Sequence, residues 1–270
     1  MLTDQCRQHS VGMGSDVSRA NGGAPWSLAG KVALVTGGSR GLGRAIALSL
    51  ASAGADVAVV SRNQASCDDV ASQIRGLGLQ AAGYSCHVGH WHELDGLVDT
   101  VYRDFGKVDI LVNNAGKSPR YDELTDISEA LFDSVVGLNL KGPFRLSVLI
   151  GARMKAAGGG AIINITSIEV DRPSPDSLPY AAAKAGLTAV TEGLARALAP
   201  EVRVNAVQPG AFRTDVSKHW PPEMWDRVSS AALLGRVGEP NEICGAVLFL
   251  ASDAGSYTTG IRLRVDGGVA

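Results

Sequence analysis

The feature that most constrains the fold of this chain is the apolar run Lys31-Val-Ala-Leu-Val-Thr36. It breaks into Thr36-Gly37-Gly38-Ser39-Arg40-Gly41-Leu42-Gly43 and is followed by a helix-length apolar pattern over Leu42 to Ala53. A run of five aliphatic or β-branched residues is strand-sized, glycines supply the tight turn, and a period of 3.6 then takes over. The same unit recurs, with strands predicted at Asp56 to Ser61, Leu79 to Ser85 and Asp109 to Asn113, each after a helical stretch. Further strands are predicted at Ala161 to Thr166, Val202 to Val207 and Ile261 to Val265, and Gly158-Gly159-Gly160 reads as the turn into the fifth. Strands joined by helices pair in parallel through right-handed crossovers that cover both sheet faces. The pattern therefore predicts an α/β chain with a doubly wound seven-stranded parallel sheet in a single domain.

Composition agrees: 45% hydrophobic residues, 33 glycines and only 5% aromatics suit buried aliphatic strands with glycine turns, and no compositional shift separates two halves. The formal charge of -2 lacks the basic excess of a nucleic-acid binder, and no charge run suggests an anionic membrane surface. Cys6, Cys67, Cys86 and Cys244 form no Cys-x-x-Cys pair, which points away from a disulfide framework and towards a reducing cytoplasmic setting. The longest apolar runs, such as Ile243 to Ala251, fall well short of the roughly 20 residues of a membrane span. Residues 1–28 are polar and glycine-rich without a signal-peptide core, so they are expected to be a flexible tail, with Met13 a second candidate start and the domain covering 29–270.

Gly37, Gly41 and Gly43 follow a strand and open a helix, the context in which backbone amides approach a pyrophosphate at a helix N-terminus. A fold of this kind that prefers NAD places an acid about 20 residues further on to hold the ribose 2′-hydroxyl. Here Ser61-Arg62-Asn63 stands at that point, and Arg62 with Arg40 offers charge-assisted hydrogen bonds to a 2′-phosphate. NADP(H) is accordingly expected over NAD(H).

Four polar groups fall where the strands end: Asn113-Asn114-Ala115-Gly116 after strand four, Asn139 in the helical stretch beyond it, Ser167 after strand five, and Tyr180 with Lys184 on the next helix. Ligands of open parallel sheets lie beyond the carboxyl ends of the strands, so these groups would meet the glycine loop there. Residues four apart share a helix face, which sets the Lys184 ammonium beside the Tyr180 phenol and is expected to lower its pKa. Cys86, His87, His90 and His92 do not match a familiar zinc spacing, and no metal is expected.

With these motifs in place, the chain from about Lys31 to Gly268 resembles the short-chain dehydrogenase/reductase family. The resemblance implies a Rossmann fold in which Gly37, Ser39, Arg40, Gly41, Leu42 and Gly43 cradle the pyrophosphate. It implies that Ser61, Arg62 and Asn63 meet the adenosine ribose, and that His87 and Val88 meet the adenine. Asn113, Ala115 and Gly116 would brace the central strand beside the cofactor, while Pro209, Gly210, Phe212 and Thr214 touch the nicotinamide end. Asn139, Ser167, Tyr180 and Lys184 would form the catalytic tetrad. Ser167 orients a carbonyl, Tyr180 acts as general acid, Lys184 tunes Tyr180 and grips the nicotinamide ribose, and Asn139 holds a water linking Lys184 to solvent. His87 departs from the family's usual Asp, and a neutral imidazole still accepts one hydrogen bond through its free nitrogen.

The implied function is NADP(H)-dependent interconversion of a carbonyl and a secondary alcohol. The alternatives are a 3-oxoacyl-thioester reductase, against which Ala199-Pro200-Glu201 lacks the basic residues expected for docking an acidic acyl carrier, and a silent NADP(H)-binding scaffold. The segments Gly235 to Pro240 and Val265 to Gly268 imply the family's usual homotetramer. Specificity is expected in Lys117 to Asp122, Ile168 to Pro179 and Ala211 to Leu234, with Trp220, Met224 and Trp225 as a candidate apolar lid.

Overall fold

The computed structural model describes residues 25–215 and 217–269. Seven strands form one parallel sheet: β1 Val32–Thr36, β2 Asp56–Ser61, β3 Ala81–Ser85, β4 Ile110–Asn113, β5 Gly160–Ile165, β6 Val202–Pro209 and β7 Arg262–Val265. Their order is β3-β2-β1-β4-β5-β6-β7. The order reverses between β1 and β4, so the crossovers diverge there and open a crevice beyond the strand ends.

Among the described residues, eight α-helices cover the sheet: α1 Gly41–Ser52, α2 Gln64–Arg75, α3 Leu94–Phe105, α4 Glu129–Val136, α5 Gly142–Ala156, α6 Leu178–Leu198, α7 Pro222–Ala231 and α8 Cys244–Ala251. Side chains alternate across a strand, and β1 shows the consequence: Ala33 and Val35 join one core with Ile46, Leu50, Ile74 and Val247, whereas Leu34 joins the other with Val98, Leu146 and Ile150. The central strands thus have no wet face, which is why they read as unbroken aliphatic runs.

Strand ends moved by one or two residues from expectation where pairing decides them. β6 runs on to Pro209 because that residue pairs with Val265, and β3 starts at Ala81, opposite Val57. The expected tail boundary also moves. Residues 1–24 of that tail lie outside the described residues, but Leu28 is 1% exposed in the core, and its amide donates to the Ala53 carbonyl at 2.7 Å. The Trp26 ring lies 6.1 Å from that of Phe249, and the Pro25 carbonyl accepts from the Ala254 amide. Burying one leucine is worth about 1.5–3 kcal/mol, so this strap belongs to the folded body. Among the described residues, no helix is long and apolar enough to cross a membrane.

Candidate active site

The switch point opens into a cleft of about 580 Å³. Its floor begins at the glycine loop. Gly37 and Gly41 adopt positive φ of 64° and 54°, which only glycine takes without strain. A Cβ on Gly43 would fall 2.2 Å from the Gly37 carbonyl oxygen and 2.4 Å from Asn114 Nδ2, so helix and loop touch backbone to backbone. No side chain caps the α1 N-terminus and no acid lies in its first turn. Its first amides lack helical acceptors, and Gly41, Leu42 and Gly43 line the cleft, an environment that fits a pyrophosphate.

The loop is anchored to the end of β4. Thr36 Oγ1 accepts from the amides of Asn114 and Ala115 at 3.0 and 3.1 Å and donates to the Val112 carbonyl. Asn114 Nδ2 donates to the Thr36 carbonyl at 2.9 Å. Beneath this, Asn113 Nδ2 donates to Ser147 Oγ and to Asn164 Oδ1, and Asn164 Nδ2 donates to Thr191 Oγ1 at 2.9 Å. This buried polar chain ties β4 and β5 to α5 and α6, the elements that carry or flank the catalytic candidates.

Ser167 lies two residues beyond β5 and caps the single turn Ile168–Val170, its Oγ accepting from the Glu169 amide at 3.2 Å. Tyr180 and Lys184 follow on α6, whose first turn holds Pro179. The Lys184 ammonium lies 5.7 Å from the centre of the Tyr180 ring and donates to the Ile165 carbonyl at 2.7 Å. Burial pushes the Tyr180 phenol up to about 12; the Ser167 hydroxyl works against this and the Glu169 carboxylate adds to it. Burial likewise brings Lys184 down to about 8. The expected depression of the phenol by Lys184 is therefore corrected: desolvation raises the phenol, while the ammonium lies 5.7 Å from the ring centre and gives one of its three N–H groups to a backbone carbonyl.

Asn139 sits in a π-helical turn, Gly137–Lys141, that joins α4 to α5, in place of the regular helix expected. Such turns recur at functional sites because they re-aim one residue. Its Nδ2 donates to the carbonyls of Lys117 and Val135, and its Oδ1 accepts from the Lys117 amide. A Cβ at Gly116 would stand 2.8 Å from Asn139 Oδ1 and 3.6 Å from Lys184 Nζ, so the two polar groups flank the Gly116 backbone. With its amide committed to the chain, Asn139 holds the start of the Lys117 segment.

A family model described as enoyl-(acyl carrier protein) reductase matches residues 37–270. The chain belongs to the short-chain dehydrogenase/reductase family. The human dehydrogenase/reductase SDR family member 4 is 38% identical over 244 residues, 89% of this chain and 88% of that one. The 3-oxoacyl-[acyl-carrier-protein] reductase of Thermotoga maritima is 35% identical over 243 residues, covering 90% and 98%. Among solved structures, a 7α-hydroxysteroid dehydrogenase complexed with NADH and 7-oxo glycochenodeoxycholic acid superposes with a TM-score of 0.87 at 36% identity, covering 91% of this chain and 96% of that one. Like its relatives, this short-chain dehydrogenase/reductase is an oxidoreductase.

The cleft gathers most of the expected residues. Gly37, Ser39, Arg40, Gly41, Leu42 and Gly43 line one end with Ser61, Arg62 and Val88. Ala115, Gly116, Ser167, Tyr180 and Lys184 line the middle, and Pro209, Gly210, Phe212 and Thr214 close the far side. Four expected residues stay off the wall. Asn63 caps α2 with its side chain on the Ser66 amide. Asn113 and Asn139 are buried beneath the cleft. His87 Nδ1 accepts from the Gly89 amide at 3.3 Å, which puts the proton of the neutral ring on Nε2 and makes it a donor, not the acceptor expected. The rings of His87, His90 and His92 stack with centroids 4.1 and 5.9 Å apart, and His90 Nδ1 is bonded to Glu93.

The candidate lid residues divide: Trp220 and Met224 line the cleft, while Trp225 packs on Arg213, whose guanidinium carbon is 4.6 Å from the ring centre. Sequence reasoning passed over Glu169, which lines the cleft between Ser167 and Tyr180. The signal available was an acid two residues after the candidate serine, inside a segment already marked for specificity.

Proposed function

We propose that the protein interconverts a carbonyl and a secondary alcohol with NADP(H), using Ser167, Tyr180, Lys184 and Asn139. The observation that carries the reading is the shared cleft, with an uncapped helix N-terminus and glycine loop at one end and Ser167, Tyr180 and Lys184 in its middle. When bound, the nicotinamide supplies the hydride. The Ser167 hydroxyl donates to the carbonyl oxygen, and the Tyr180 phenol, protonated at neutral pH, gives its proton to that oxygen as charge develops. In the other direction the phenolate takes the alcohol proton, and the Lys184 ammonium stabilises it there. Asn139 acts by fixing the Lys117 segment beside Lys184.

Arg40 and Arg62, both exposed along the cleft, support a preference for the 2′-phosphate, and Ser61 places no repelling carboxylate at the end of β2. A homotetramer and a cytoplasmic location belong to the same reading. Exposed Leu233, Leu234 and Tyr257 offer apolar surface for assembly, and Cys67, Cys86 and Cys244 are free thiols. A second reading, reduction of 3-oxoacyl thioesters, is supported by the Thermotoga relative.

The deciding experiment is a screen of ketones and alcohols with both cofactors, repeated with Tyr180→Phe. Loss of about 10² to 10⁴ in turnover with unchanged cofactor affinity supports general acid catalysis by Tyr180. Near-normal turnover in that variant overturns the tetrad, and no turnover of any compound by the wild-type enzyme favours a silent dinucleotide binder. Tighter binding of NADH than NADPH, or NADPH affinity unaffected by Arg62→Ala, overturns the cofactor preference.

A further inference from the structure

Resting on that carbonyl–alcohol reading, we propose that Glu169 selects substrates bearing a hydroxyl group on the carbon next to the carbonyl: hydroxyketones and the polyols with which they interconvert. Glu169 stands two residues after Ser167 in the same tight turn, and it lines the cleft together with Ser167 and Tyr180. It is a half-buried carboxylate. Burial raises its pKa, the Ser177 hydroxyl and the Arg120 guanidinium oppose that rise, and such a group is retained at a cost in stability.

The surrounding chain is arranged to keep it. Ser177 occupies the N-cap position of α6 and makes no capping hydrogen bond; its hydroxyl donates to Glu169 Oε2 instead. A serine cap normally serves the helix, so this hydroxyl is diverted from a stabilising role to hold the acid. Arg120 is in turn tied to Asp176, and the Tyr121 hydroxyl bridges the Pro175 carbonyl and the Leu178 amide at 2.8 and 2.9 Å. The wall around Glu169 is preorganised, not loose.

The chemistry of the wall then decides what fits. Ser167 and Tyr180 present donors to a carbonyl oxygen, whereas an ionised carboxylate only accepts and has room for about four donors, one of them Ser177. A 3-oxoacyl thioester presents a ketone and a thioester oxygen, both acceptors, so it would displace water from Glu169 and return nothing. A hydroxyl beside the carbonyl supplies the missing donor.

Two matched ketone pairs that differ only by hydroxyl against methyl test this: hydroxyacetone against butan-2-one, and 2-hydroxyacetophenone against propiophenone. The wild-type enzyme is expected to favour the hydroxyl member in kcat/KM by about tenfold to a hundredfold, the worth of a hydrogen bond to a charged group. Glu169→Leu should abolish or invert that ratio, and Glu169→Gln, whose carbonyl still accepts, should keep part of it. The ratio within a pair cancels any common effect of the substitution on Tyr180, and cooperative melting at or above the wild-type temperature confirms that the variants fold. A hydroxyl-to-methyl ratio near one in the wild type, or a ratio unmoved by Glu169→Leu, overturns the proposal while leaving the carbonyl reductase reading intact. No turnover of any of the four ketones with either cofactor overturns that underlying reading and the proposal with it.

Discussion

Lys184 is 3% exposed, and its buried charge has a cost that Lys184→Met should reveal. The ammonium ordinarily titrates at 10.5 and burial brings it to about 8. That interval corresponds to about 3 kcal/mol of charge-burial penalty. Because the native pKa lies below the unfolded one, the unfolded chain holds the extra proton between those values, and stability rises with pH across that window. The penalty is complete below about pH 8 and gone above 10.5. Methionine fills a similar volume without charge but leaves the Ile165 carbonyl without its 2.7 Å partner, a loss of about 1 kcal/mol. The variant should therefore be more stable than wild type by about 2 kcal/mol at pH 7, or about 4–8 °C in melting temperature for a domain of this size. The gain should shrink steadily above pH 8 and reverse at about pH 10, while turnover is lost. Melting curves of both proteins at intervals from pH 6 to 10.5 measure it. A variant that melts below wild type at pH 7, or a gain independent of pH, would refute the argument that the lysine is held against a desolvation cost for the sake of chemistry.

Gly43→Ala should cost about 1–3 kcal/mol and weaken dinucleotide binding, because its methyl would overlap the Gly37 carbonyl; fluorescence titration and thermal melting both read this. Deletion of residues 1–24 should leave the melting temperature unchanged, whereas deletion through Leu28 should lower it by about 3–10 °C. Glu169→Gln removes a charge that raises the Tyr180 pKa, so the ascending limb of the pH profile for alcohol oxidation, where Tyr180 becomes the phenolate base, should move to lower pH; a limb that stays in place or moves up contradicts the assignment. Tyr121→Phe should raise KM more than it lowers kcat, since it removes both hydrogen bonds that stitch the Pro175–Leu178 wall without touching Tyr180 or Lys184.

The parallel sheet was legible because strands buried on both faces must be aliphatic throughout, and glycine turns punctuate them. Their ends were less legible, since Pro209 belongs to β6 only through its pairing with Val265, 56 residues further along. The glycine loop could be read because its backbone is sterically unique. The relation of Tyr180 to Lys184 was read only in part: spacing put them on one helix face, but the direction of the ammonium depends on the Ile165 carbonyl, which another strand supplies. The π-turn at Asn139 leaves no mark in a hydrophobic period of 3.6, and its amide finds partners at Lys117, 22 residues upstream. Leu28 looked like tail because one apolar residue carries no periodicity, yet the groove beside Ala53 accepts it. Glu169 was hidden for a related reason: an acid in an irregular segment reads as solvated surface until the fold brings Ser177 to it. What escapes local pattern is polar contact across irregular segments, and in this cleft such contacts hold the two groups, Lys184 and Glu169, that line it beside Ser167 and Tyr180.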